Sequence, residues 1–324
     1  MRHGGAAGQG VRAAMEIILH LGAHRTATTS FQHYARANAA ALAAQDIGVW
    51  GPDVTRDGVL SGVIPQAGTR PAMAQLTRAR GRIALRLERA RAAGVTRLVV
   101  SDENMIGAPR RCLRAARLYP DVGERVARFA HAFDGRITRA VLSIREPDAW
   151  WSSVLAYGVA RGHRLPLPGD LDRMVTGGRP WRAVITDIAC ALPGVDLVIL
   201  THEHSASRPE TRLATMTGAK VPRRGARIWL GHAPDLAALR RAVALRGGDA
   251  GLLPEGEGRW QPFDTAQRAA LRDSYADDLF WLAAGADGLA RLAEETGPDQ
   301  AGTHPPTAQM KRGQDHDFET RHLA

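Results

Sequence analysis

The sequence predicts an α/β protein of three layers, a central parallel sheet between helices, followed by a helical C-terminal part. Three observations point there. Short apolar runs with β-forming residues alternate with longer stretches of helical periodicity, and such alternation is the signature of a parallel sheet covered on both faces. Strand signals stop after Thr201, and two long helical stretches follow. The chain has 324 residues, 44% of them hydrophobic and 23% charged, which suits one large globular domain, and no linker divides it convincingly.

In order, strands are expected at 17–21, 47–50, 97–101, 140–144 and 196–201. A helix is expected over 72–93, another helix and a half over 113–133, and further helices over 235–247 and 264–295. Asp264 is the expected N-cap of the last helix and Gly297 its stop. Pro147 suits the first position of the helix after the fourth strand. The first 14 residues are rich in Gly, Ala and Arg and precede a second methionine. They are expected to be a disordered leader, with Met15 the natural start. Residues 297–324, polar and carrying Pro305-Pro306, are expected to be a disordered tail. That leaves 15–296 as the α/β domain.

The formal charge is +10, yet Lys occurs only at 220 and 311, so the positive charge is almost entirely Arg scattered along an Ala-rich chain. Such scatter argues against a polybasic patch for nucleic acid, and no recognised nucleic-acid motif accompanies it; a basic protein does attract anionic ligands in general. Cys112 and Cys190 have no metal-ligand or disulfide spacing, so a reducing cytoplasm is expected. No apolar run approaches the roughly 20 residues of a membrane span.

In open α/β sheets ligands bind beyond the carboxyl ends of the strands, so the chemistry is sought there. After the first strand the chain reads Gly22-Ala23-His24-Arg25-Thr26-Ala27-Thr28-Thr29-Ser30 and runs into a helix. This has the length of a phosphate-binding loop, and backbone N–H groups at a helix start bind anions. A nucleotide-hydrolase loop would end Gly-Lys-Ser/Thr. Here those places hold Ala27, Thr28 and Thr29, and the cation, Arg25, stands mid-loop. A Thr/Ser cluster opening a helix also serves as plain capping. After the fourth strand comes "IREPDAWWSS", with Arg145 closing the strand and Ser153 eight residues on. An arginine paired with Glu146 or Asp148 is the simpler reading of that stretch.

Together the two motifs resemble the sulfotransferases that use 3'-phosphoadenosine 5'-phosphosulfate, PAPS. In that family the 5'-phosphosulfate loop places a basic residue, a small or hydroxyl residue, Gly and two hydroxyls in the order of "HRTATTS", and a strand-end Arg and a Ser eight residues later hold the 3'-phosphate. The resemblance covers roughly 15–295 and implies a P-loop-type fold of the bacterial enzymes. It implies PAPS as co-substrate, bound through Arg25, Thr26, Ala27, Thr28, Thr29, Ser30, Arg145 and Ser153, with Arg25 catalytic and no metal. Ala27 replaces the usual glycine; a position that needs φ > 0 or a close phosphate would bind more weakly for it.

The strand at 97–101 ends in Ser101-Asp102-Glu103-Asn104. Glu103 is the first choice for a general base on an acceptor hydroxyl or amine, since bacterial relatives carry a similar Ser-x-Glu; capping or an arginine pair is the plainer alternative. His24 and His163 rank behind it. Arg223 and Arg224 in "VPRRGARIW" are offered for the 3'-phosphate, and Trp150-Trp151 for stacking on adenine or for the core. The reaction expected is sulfuryl transfer to a hydroxyl-bearing acceptor such as a carbohydrate, lipid or small molecule. The alternatives are a P-loop kinase or other nucleotide-dependent transferase, and a catalytically silent nucleotide-binding protein of the same fold.

Overall fold

The computed structural model describes residues 14–68 and 70–293. Apart from Ala14, the expected leader and the whole tail lie outside the described residues, as does Gly297.

Six parallel strands form one sheet: β1 (Glu16–Gly22), β2 (Ile47–Trp50), β3 (Arg97–Ser101), β4 (Ile137–Ile144), β5 (Asp196–Thr201) and β6 (Arg291–Leu292), in the order β2-β3-β1-β4-β5-β6. The five expected strands are all present, β2, β3 and β5 with the expected bounds and β1 and β4 extended. β6 was not expected: two residues are too few for a periodic signal, and it exists because Val198 and Ile199 offer it an edge.

Period-two alternation puts successive strand residues into opposite layers. Ile17, Leu19 and Leu21 of β1 join one core with the helices Ala72–Ala92, Val122–Ala132, Pro147–Ala160 and Trp181–Ala191. Ile18 faces the other way, into a smaller core with Phe31 and Tyr34 of the helix Thr28–Ala37 and Leu213 and Met216 of the helix Pro209–Thr217. This is the three-layer arrangement the sequence predicts. Both strand faces are covered, so the strands read as continuous apolar runs.

Local signals set the helix ends. Asp264 caps Thr265–Ala283 through a reciprocal box, its carboxylate accepting from Gln267 N at 2.8 Å while Gln267 Oε1 accepts from Asp264 N at 3.0 Å. That helix stops twelve residues short of the expected 295, because Gly285 and Asp287 take left-handed backbone, φ 99° and 52°. Pro147 occupies the first turn of its helix as expected. The 113–133 stretch resolves into Pro109–Ala115 and Val122–Ala132. Among the described residues no helix is long and apolar enough to cross a membrane.

The chain leaves β1 towards β2 at one edge and leaves β3 for β4 on the far side of β1. The crossovers therefore diverge at the carboxyl ends of β1 and β3, the place where such sheets open a crevice.

Candidate functional site

A cleft of about 370 Å³ opens over that point. His24, Arg25, Ala27, Thr28 and Thr29 of the β1 loop line it together with Glu103 after β3 and Arg145 and Ser153 after β4. Residues far apart in sequence but all placed at strand ends are thus gathered in one site.

The loop is shaped by backbone as much as by side chains. Gly22, Arg25 and Ala27 all adopt positive φ, at 84°, 63° and 64°. Such alternation turns N–H groups to one side, the concavity that holds anions. Gly22 is required for a second reason: a Cβ there would come within 2.8 Å of the Glu103 Cβ, so only glycine lets β1 pass so close to the turn after β3. Ala27 stands at the N-cap of the helix Thr28–Ala37 in left-handed conformation, and no side chain caps that helix. Its first-turn N–H groups and the positive end of its dipole therefore face the cleft without a side-chain acceptor.

Thr26 and Ser30 do not line the cleft. The buried Thr26 hydroxyl donates to Ala23 O at 2.6 Å and stiffens the loop. Ser30 Oγ accepts from Leu230 N at 2.9 Å and donates to Leu230 O at 3.3 Å. That pair fastens the segment around Trp229 and His232 across the loop, so these residues also line the cleft.

Four arginines converge here. Arg25 Nε donates to Ser153 Oγ at 2.9 Å, and its guanidinium lies 4.9 Å from the ring centre of Tyr157, one turn beyond Ser153 on the same helix. Arg145, 8% exposed, donates from Nη1 to Arg25 O at 2.9 Å. Arg212, 1% exposed, reaches the loop from beneath and donates to Thr26 O at 3.0 Å, leaving its Nε and Nη1 without partners. Arg259 lines the cleft from the C-terminal part. Among the described residues none of the four is in an ion pair. Burial lowers the pKa of Arg145 to about 10, with repulsion from Arg259 and Arg25 adding to it, and burial alone brings Arg212 to about 10. Both remain cations at neutral pH. Glu203 and Asp148 attract Arg145 without reaching ion-pair contact; buried positive charge so weakly compensated is costly, and an anion in the cleft would relieve it.

The histidines stay neutral. Burial, then repulsion from Arg145, Arg212 and Arg259, pushes His202 down to about 2. His24 is also lowered, chiefly by burial. Its backbone N–H donates to the Tyr119 hydroxyl at 3.0 Å, that hydroxyl lies 3.1 Å from Nδ1, and Nε2 lies 3.1 Å from Asn104 Oδ1. The network assigns the proton to Nε2 and leaves Nδ1 accepting from Tyr119. Both nitrogens of His24 are engaged, whereas Glu103 is the carboxylate that lines the cleft, beside His202 and His232. Its Oε1 accepts from Arg56 Nη2 and its Oε2 from Gln32 Nε2, each at 3.0 Å. Each oxygen keeps a second lone pair for an incoming proton.

Arg223, Arg224 and His163 do not line this cleft. Trp150 and Trp151 are core, 0% and 1% exposed with ring centres 4.8 Å apart, and Trp150 Nε1 holds His24 O at 2.8 Å. Sequence reasoning missed Arg212, Arg259, Tyr157 and Arg56. Tyr157 was within reach, lying four residues after Ser153 on one helix face. The others are arginines in a chain full of them, and nothing local marks them.

No protein-family model matches the chain, and no curated protein matches it.

Proposed function

We propose that the chain is a sulfotransferase that moves a sulfuryl group from PAPS to a hydroxyl or amine acceptor. The observation that carries this reading is the meeting of Arg25, Arg145 and Ser153 at one cleft, where among the described residues Arg25, Arg145 and Arg259 are in no ion pair. A ligand with two separate phosphate-type groups answers that arrangement, and the two motifs resemble those that grip the two ends of PAPS.

In this reading the first-turn N–H groups at Thr28 and Thr29 and their hydroxyls hold the 5'-phosphosulfate. Arg145 and Ser153 take the 3'-phosphate. The acceptor oxygen attacks sulfur in line, an O–S bond forms, and the bond from sulfur to the bridging phosphate oxygen breaks. Glu103 takes the acceptor proton, and 3'-phosphoadenosine 5'-phosphate leaves with the bonding electron pair. Arg25 stabilises the charge growing on the bridging oxygen, an interaction stronger in the transition state than before it. Ser153 accepts from Arg25 and so sets its direction.

The loop has no lysine to reach a β/γ-phosphate, which weighs against a kinase. One observation favours a second reading, a protein that binds the nucleotide without turnover: Ala27 carries a methyl in the left-handed region where the family has glycine. Both cysteines are unpaired, in keeping with a cytoplasmic setting.

Calorimetry with 3'-phosphoadenosine 5'-phosphate against ATP with magnesium tests the reading. Tight binding of the bisphosphate and weak binding of ATP is the expected result; the reverse order returns the chain to the kinases.

A further inference from the structure

Consecutive carbonyls of the loop after β1 are each taken by a different donor. Ala23 O accepts from the Thr26 hydroxyl at 2.6 Å, His24 O from Trp150 Nε1 at 2.8 Å and Arg25 O from Arg145 Nη1 at 2.9 Å. Thr26 O accepts from Arg212 Nη2 at 3.0 Å and Ala27 O from Phe31 N at 3.1 Å. Trp150, Arg145 and Arg212 lie outside the loop, and all are buried. His202 adds a bond to the Thr26 backbone. On the other side of the same peptides, among the described residues no acceptor takes the N–H of Arg25, Thr26 or Ala27.

A trans peptide points its C=O and its N–H in opposite directions, and none of these peptides is cis. Holding the carbonyls of His24, Arg25 and Thr26 therefore fixes the direction of the N–H groups of Arg25, Thr26 and Ala27. Arg25 and Ala27 line the cleft. Both are held at positive φ, 63° and 64°, a region disfavoured for any residue with a Cβ. Such backbone persists only where its surroundings over-determine it. For Ala27 the relaxing move is a rotation of the Thr26-Ala27 peptide, which would make its φ negative, swing the Thr26 carbonyl towards the cleft and carry the N–H away. The Arg212 bond to Thr26 O opposes that rotation. Arg212 is itself fixed, with Nη2 3.3 Å from Ser205 Oγ and its guanidinium carbon 5.9 Å from the ring centre of Phe31, and it does not line the cleft.

We propose that Arg212 is a positioning residue for the anion in the loop: without touching the ligand, it holds the Thr26-Ala27 peptide with its N–H towards the cleft and so compensates for alanine where the family loop has glycine. The identity of the anion as the 5'-group of a nucleotide rests on the sulfotransferase reading; the direction of the peptide is a property of the loop.

Two nucleotides that differ only at the 5'-end test it, 3'-phosphoadenosine 5'-phosphate and adenosine 3'-phosphate, titrated by calorimetry into the full chain. The ratio of their affinities measures what the 5'-end contributes. Arg212→Met, which keeps the length of the side chain and removes its donors, should lower that ratio about tenfold or more and leave adenosine 3'-phosphate bound as before. Adding Ala27→Gly should recover part of the ratio, because glycine holds positive φ without a clamp. A side chain that only supports the fold would weaken both nucleotides alike and gain nothing from the glycine; either result overturns the proposal. The unaltered chain gives a second measurement that needs no variant. On titration with inorganic phosphate the amide proton signals of Arg25, Thr26 and Ala27 should all move downfield, and a stationary Ala27 signal overturns the proposal as well. An Ala27 amide that answers phosphate and loses that response in Arg212→Met, in a chain that binds the bisphosphate no tighter than ATP with magnesium, would keep the role of Arg212 and remove the sulfotransferase reading.

Discussion

The Arg25 guanidinium meets the Ser153 hydroxyl at 2.9 Å across 128 residues of sequence, so this bond, beside that of Trp150 Nε1 to His24 O, ties the loop after β1 to the helix after β4 at the cleft. Ser153 is thereby committed twice, as an acceptor for Arg25 and as a donor for whatever enters. Ser153→Ala should free Arg25 to swing towards Tyr157. A loss of roughly tenfold or less in affinity for 3'-phosphoadenosine 5'-phosphate is expected, together with a larger loss in turnover. A change in affinity alone would show that Ser153 does not orient Arg25.

Arg145→Ala removes a charge-assisted contact. A contact of that kind is worth on the order of 1.5 to 3 kcal/mol, or about 10 to 150-fold in affinity. The loss should fall on the 3',5'-bisphosphate and spare adenosine 5'-phosphosulfate, which has no 3'-phosphate. Equal losses on both ligands would reduce Arg145 to a brace for the loop through its bond to Arg25 O.

Glu103→Gln should leave nucleotide affinity nearly unchanged and lower turnover by roughly 10²-fold or more, the range for loss of a general base. The carboxamide can still accept from Arg56, so the turn after β3 should hold its place; the melting temperature checks this. Full activity in the variant would move the proton elsewhere.

Ala27→Gly removes a methyl from a left-handed position, φ 64°. Relief of about 1 kcal/mol is offset by the greater freedom of glycine in the unfolded chain, about 0.4 to 1 kcal/mol. Stability should therefore change little while the bisphosphate binds more tightly. Weaker binding would show that the methyl touches the ligand favourably.

Acid should weaken the fold through its histidines. His20, fully buried with its Nδ1 2.8 Å from Ser101 Oγ, is held well below its ordinary pKa by burial and by Arg212, and His202 is pushed down to about 2. Their folded values lie below the unfolded one, so their contribution is complete above about pH 6.5 and is lost as pH falls. Each costs about 1.4 kcal/mol per pH unit below that point while it stays neutral in the folded state. Urea unfolding at pH 6.5 and 5.5 should show the loss, and His20→Gln should cut it by about half, His202 keeping its share. An unchanged slope in the variant would mean that His20 takes up its proton without unfolding.

The strands were legible because each is a local object. Five apolar runs of four to eight residues, buried on both faces, leave a pattern that needs no partner to be read, and Asp264 and Pro147 mark their helices by chemistry confined to one turn. The loop around Arg25 was legible for the same reason, since its residue order runs along the chain. What the tertiary structure alone decided is how those pieces meet. The strand order brings the ends of β1, β3 and β4 together; Arg25 acquires Ser153, Gly22 acquires its tight contact with Glu103, and Glu103 acquires Arg56 and Gln32. Arg212 and Arg259 could not be singled out beforehand, because an arginine that lacks a carboxylate looks in sequence like one that has found it. Ion pairing depends on distance in space, and only folding sets which charges are left without a partner.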